Sequence, residues 1–122
     1  MGTTRKPETT KARSWQEIEA HYVNLNDHGW KHDRMLQLVR YIISKPIKDR
    51  LFAFTSLDRL VISIYDEIEW HKETLHIEFD RNSEKWNFKY FSRPNEKPEF
   101  ERQYDADLGI EKFDKLTSMI KW

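Results

Sequence analysis

Trp15, Ile18, Tyr22 and Leu25 recur at intervals of three, four and three, which places all four on one stripe of a helix. Just ahead of them, Ser14-Trp15-Gln16-Glu17 has the S-x-x-E spacing in which a serine hydroxyl and a glutamate carboxylate satisfy each other's orphan amides, so the helix begins near Trp15. The run Asn26-Asp27-His28-Gly29 ends it. A second helix carries Met35, Leu36, Leu38, Val39, Ile42 and Ile43 on a wide apolar face, and Pro46 stops it by denying the next turn a donor.

From Leu51 the period falls to two, and β-branched and aromatic residues dominate to about residue 104, which predicts a sheet. Its clearest hairpin joins Thr74–Asp80 to Lys85–Phe91 through Asn82-Ser83. That loop sets Phe79 opposite Trp86, Ile77 opposite Phe88 and Leu75 opposite Tyr90, with Asp80 facing Lys85; a slip of one residue would scatter every pair. An earlier hairpin, Leu51–Ser56 with Arg59–Tyr65, turns through Leu57-Asp58, which is less favourable turn chemistry. It is apolar on both faces: Leu51, Ala53, Leu60, Ile62 and Ile64 on one, Phe52, Phe54, Val61 and Tyr65 on the other. Either helices cover both faces, or one face awaits another cover.

Arg93 to Pro98 reads as a loop and Glu99–Tyr104 as a charged edge strand. Asp105 or Asp107 then caps a last helix whose stripe is Ile110, Phe113, Leu116 and Ile120. Strands and helices do not alternate, so the expected class is α+β: two N-terminal helices, a mainly antiparallel meander sheet of four to five strands, and a C-terminal helix packed on the sheet. Residues 1–13, with four threonines, four basic side chains and no periodic apolar residue, read as a flexible basic tail, and 14–122 as a single domain.

Composition narrows the function classes. At 122 residues the chain has room for one core. Its 21 basic and 21 acidic side chains leave no excess to favour nucleic acid as partner, although residues 1–61 hold 11 basic and 7 acidic groups and the remainder 10 and 14. Cysteine is absent, which removes disulfides, thiolate metal sites and cysteine nucleophiles. No apolar run approaches the roughly 20 residues of a membrane span, and no secretory signal opens the chain, so the expectation is a soluble cytoplasmic protein with no membrane partner.

The three glycines, at 2, 29 and 109, cannot form a G-x-G-x-x-G turn or a P-loop, and no H-E-x-x-H or G-x-S-x-G occurs. His28 and His32, four apart, lack an identified third ligand, so no metal and no cofactor is expected. His76, Glu78 and Lys89 fall on the polar face of the best hairpin. With His71 and Glu73 they form a polar site that a concave wall would turn to proton transfer; a solvated sheet face has the same make-up. The segment Tyr65-Asp66-Glu67-Ile68-Glu69-Trp70-His71 joins two strands and mixes three carboxylates with aromatic rings, the composition of a protein-binding hot spot; alternatively Ile68 and Trp70 fold back to plug the core.

The preferred expectation is a non-enzymatic protein-binding module of inhibitor, immunity or adaptor type, whose partner, a second protein or another copy of the chain, meets Phe52, Phe54, Val61, Tyr65, Asp66, Glu67, Glu69 and Trp70. The alternative is a small ligand-binding domain or enzyme with a pocket lined by Trp86, Phe88 and Tyr90 between sheet and helices.

Overall fold

Glu17 N–H donates to Ser14 Oγ at 3.1 Å and Ser14 N–H to Glu17 Oε1 at 3.3 Å, so the predicted capping box is in place. It opens α1 (Trp15–Asp27), which buries Ile18 and Tyr22. A computed structural model describes residues 9–70, 72–93 and 96–122 of the protein. Within it α2 (Asp33–Ile43) buries Met35, Leu38, Val39 and Ile42, ends ahead of Pro46 as its pattern requires, and leads into a short 3-10 turn over Pro46–Arg50.

A five-stranded antiparallel sheet follows, built from β2 (Phe52–Ser56), β3 (Arg59–Ser63), β5 (Thr74–Asp80), β6 (Lys85–Phe91) and β7 (Phe100–Asp105) in that order across the sheet. The short strand β4 (Glu67–Glu69) lies outside it, in the segment expected to be a plain connection. The β5–β6 register is the predicted one, with Phe79, Ile77 and Leu75 opposite Trp86, Phe88 and Tyr90. Two details differ. The ladder stops at Asp80–Lys85, leaving Arg81–Glu84 as a four-residue turn in which Asp80 Oδ1 accepts from Asn82 N–H at 2.9 Å. Lys85 donates to Asp105 on the neighbouring strand, so its charge pairs across β7 and not with Asp80.

The helices pack on one face of this sheet. Ile18, Tyr22, Leu38, Ile42, Ile62, Ile77, Phe88 and Phe113 are fully buried there in one cluster. The last helix, α3 (Gly109–Met119), follows a 3-10 turn over Ala106–Leu108 and buries Phe113 and Leu116. Neither candidate aspartate caps it: Asp105 holds Lys85, and Asp107 holds Arg34 at 3.1 Å. Gly109 has a packing cause. A Cβ there would lie 2.3 Å from Cε2 of Trp86, so only glycine lets α3 start against the indole.

The other face answers the question left by the two-faced hairpin. Thr9–Lys11 forms β1 and pairs antiparallel with β4, Thr10 opposite Ile68, in a second, two-stranded sheet. Ala12 N–H donates to Asp66 O and Arg13 N–H to Ala53 O, each at 2.8 Å. Residues 9–13 are therefore not a free tail; residues 1–8 lie outside the described residues. What orders them is the apolar face beneath, since Ile68 and Ala12 close over Phe54 and Val61 in a second cluster. Among the described residues no helix is long and apolar enough to cross a membrane.

Candidate functional site

Cross-strand register sorts the outer face of the large sheet into rows. One row runs Phe52, Ser63, Thr74, Phe91; the next Phe54, Val61, His76, Lys89, Glu101; beyond them Ser56 faces Arg59, and Glu78, Asn87 and Gln103 run on across the sheet, with Arg59 and Glu78 joined by an ion pair. The apolar end of this face lies under β1 and β4, so Val61 is buried, Phe54 is 6% exposed and Phe52 is half-buried. These three were expected to meet a partner, but the chain's own Ile68 and Ala12 already cover them. Tyr65 and Trp70 stay about 40% exposed, at 40% and 37%. The carboxylates beside them are largely compensated from within: Asp66 accepts from Lys11 at 2.6 Å, and Glu69 lies 3.8 Å from Lys72. Glu67 is exposed on β4. The acidic character that would draw a basic partner is thus mostly neutralised by neighbouring lysines.

Among the described residues, the side chains of the expected polar site take separate partners. His76 is 2% exposed, with the Trp70 and Phe91 rings meeting it edge-on at 4.6 and 4.9 Å and Thr74 Oγ1 3.2 Å from its Nε2. Alternation assigned it to a solvated face, and the Trp70 and Phe91 rings close over it. Glu78 pairs with Arg59, Lys89 with Glu101 at 3.5 Å, and Glu73 accepts from the Tyr65 hydroxyl. His71 lies outside the described residues. His28 and His32 also take separate partners, His28 Nδ1 binding Asn24 O at 2.8 Å and His32 binding Asp58. Of the rings suggested to line a pocket, Trp86 and Phe88 are sealed in the core at 2% and 0% exposure, and Tyr90 stacks edge-on with Trp122.

The feature that sequence reasoning passed over is the β2–β3 turn. Leu57 is 82% exposed and has φ +57°, a left-handed backbone that a branched aliphatic side chain adopts at a cost of about 1–2 kcal/mol. Three side chains from the helical layer hold it there. His21 Nε2 lies 2.6 Å from Leu57 O, Tyr22 Oη donates to Asp58 O at 3.0 Å, and His32 Nε2 meets Asp58 Oδ2 at 3.1 Å. Burial, with the Asp58 charge added, pushes the Tyr22 phenol well above its ordinary range, so it remains a donor at every physiological pH. On the same end of the molecule Trp30 is 40% exposed, and the Arg81 guanidinium lies 5.4 Å from its ring centroid while donating to Trp30 O. A cleft of about 310 Å³ adjoins the turn, lined by Asp58, Glu78, Asp80, Arg81, Asn87 and Gln103. Its cations are occupied, Arg81 on Trp30 and Lys85 on Asp105. The one sequence signal was the poor turn chemistry of Leu57-Asp58 itself.

No family model, no curated protein and no solved structure matches this chain.

Proposed function

We propose that this protein is a non-enzymatic protein-binding module that docks through the Leu57-Asp58 turn, with Trp30 and Arg81 beside it. The observation that supports the reading is Leu57. Left exposed, a leucine forgoes about 1.5–3 kcal/mol of burial, and its left-handed backbone adds further cost. Glycine or asparagine takes this backbone at less cost. Instead three side chains pin the turn with Leu57 pointing out, next to an aromatic ring and an arginine, the residue types that carry most binding energy at interfaces. The partner that fits has an apolar pocket for Leu57 and a flat or anionic surface to lie against Trp30 and Arg81. The cysteine-free composition supports a cytoplasmic setting.

The test is a pair of variants. Leu57→Gly is expected to raise stability by about 1 kcal/mol, because glycine accepts the positive φ without strain. The same substitution, and Leu57→Asp, is expected to remove the partner recovered by affinity capture of the wild-type protein. Thermal melting followed by circular dichroism reads the first effect, and mass spectrometry of the captured material reads the second. If Leu57→Gly melts lower than wild type, Leu57 serves the fold, and the docking reading loses its support.

A further inference from the structure

We propose that the His32–Asp58 contact is a pH-responsive latch, holding the Leu57-Asp58 turn in its docking geometry near neutral pH and releasing it in mild acid; this rests on the reading of that turn as the docking element. His32 is 1% exposed, at the head of α2, and Asp58, in the turn, has a half-exposed side chain. Since a carboxylate only accepts hydrogen bonds, Nε2 of the neutral ring carries the proton that reaches Asp58 Oδ2, and Nδ1 is left with its lone pair. Nδ1 is itself buried and has no hydrogen-bond partner among the described residues. Protonating the ring creates an N–H at Nδ1 with nothing to receive it, inside a site that also has to solvate a new charge.

The groups that face the ring come from four places. Asp58 in the β2–β3 turn favours the charged form. Arg81 in the β5–β6 turn and His21 on α1 oppose it, and the Tyr22 ring on α1 and the Trp30 ring in the α1–α2 connection close around it at 6.4 and 6.3 Å between centroids. Burial is the largest influence, and it lowers the His32 pKa below the ordinary 6.5 despite the attraction of Asp58. The sign follows. A histidine whose folded pKa is depressed stabilises the closed site fully above 6.5, and that stabilisation is lost as pH falls from 6.5 through the lowered value. What opens is the local contact. His32 also donates its backbone N–H to Asn26 Oδ1 in the last turn of α1, so release of the ring loosens the α1–α2 connection and the β2–β3 turn together.

Nuclear magnetic resonance of the full chain, titrated from about pH 7.5 to about pH 5, tests this without any partner. The expected result is one transition, centred below 6.5, in which the His32 ring resonances, the Leu57 and Asp58 amides and the Leu57 methyls shift together while the amides of β6 stay still. His32→Gln keeps an amide donor towards Asp58 and removes the titration; made in a His21→Gln background, which removes the other imidazole on Leu57 O, it is expected to hold the Leu57 signals at their neutral-pH positions across the range. His21→Gln is expected to leave the transition in place. The inference is overturned if His32 titrates at or above 6.5, or if it titrates while Leu57 does not move; both are read in the wild-type protein, whether or not His32→Gln folds. Affinity capture at the two pH extremes separates this from the docking reading. A latch transition with no partner lost by Leu57→Asp at neutral pH sinks the docking reading alone, and a partner retained in acid sinks the latch alone.

Discussion

Replacing Trp86 by alanine is expected to cost about 3–5 kcal/mol, a large share of the roughly 5–15 kcal/mol that holds a domain folded. The indole is 2% exposed, meets Phe79 and Phe88 edge-on at 5.0 and 6.0 Å, and donates from Nε1 to Ala106 O at 2.8 Å. Truncation thus opens a cavity in the sheet layer and orphans the carbonyl that fixes the turn before α3. The glycine at the head of that helix gives the sharper test. Gly109→Ala places a Cβ 2.3 Å from the ring, and the displacement is expected to cost about 1–3 kcal/mol, outweighing the gain of up to about 1 kcal/mol that alanine brings to a helix. Once Trp86 is alanine the obstruction is gone. In that background Gly109→Ala is expected to stabilise, so the double-mutant cycle changes sign. Urea unfolding followed by far-ultraviolet circular dichroism measures all four proteins. A Gly109→Ala penalty of equal size in both backgrounds would mean that the close approach to Trp86 is not why glycine stands there.

Ile68→Asp is expected to detach the small β1–β4 sheet while the large one survives. Ile68 is 1% exposed over Phe54 and Val61, in a cluster separate from the one beneath the helices. Removing a buried isoleucine costs about 2–5 kcal/mol, and burying an unpaired carboxylate costs more. That exceeds what one two-stranded ribbon and the Lys11–Asp66 ion pair supply, the latter being an exposed pair of the kind that contributes little. Hydrogen exchange is expected to show lost protection at Thr10, Ala12 and Arg13, with protection of β5 and β6 retained. The uncovered Phe52, Phe54 and Val61 then form an apolar patch, and the variant is expected to self-associate on size exclusion. Loss of protection throughout β5 and β6 would show that the two clusters are one cooperative unit.

Much of the fold was legible because its signals are local. Alternation over seven residues set the β5–β6 register, Ser14 and Glu17 marked the start of α1, and Pro46 marked the end of α2. The cover on the second face was not, for a physical reason. Thr9 to Arg13 offer one apolar side chain, Ala12, and their order comes from pairing with β4, far along the chain, over a face whose apolarity the sequence did display. His76 misled in a related way. Its position in the alternation is polar, and the Trp70 and Phe91 rings closing on it help to bury it. The residues expected at an interface were therefore divided: Phe54 and Val61 went to the core, while Tyr65 and Trp70 kept exposed rings. At Leu57 the sequence carried a clue of opposite kind, a residue ill suited to its turn. Turn chemistry that conflicts with the register around it is where local rules yield to another demand.

That demand is tested most directly by placing a photo-crosslinking phenylalanine analogue at position 57, and at position 67 for comparison, and irradiating cells that make the protein. Docking through the turn predicts an adduct of one defined mass from position 57, competed by untagged wild-type protein, and none from position 67. An adduct of twice the chain's mass would name a second copy as the partner. No adduct from position 57, or adducts from position 67 alone, would contradict docking through the Leu57-Asp58 turn.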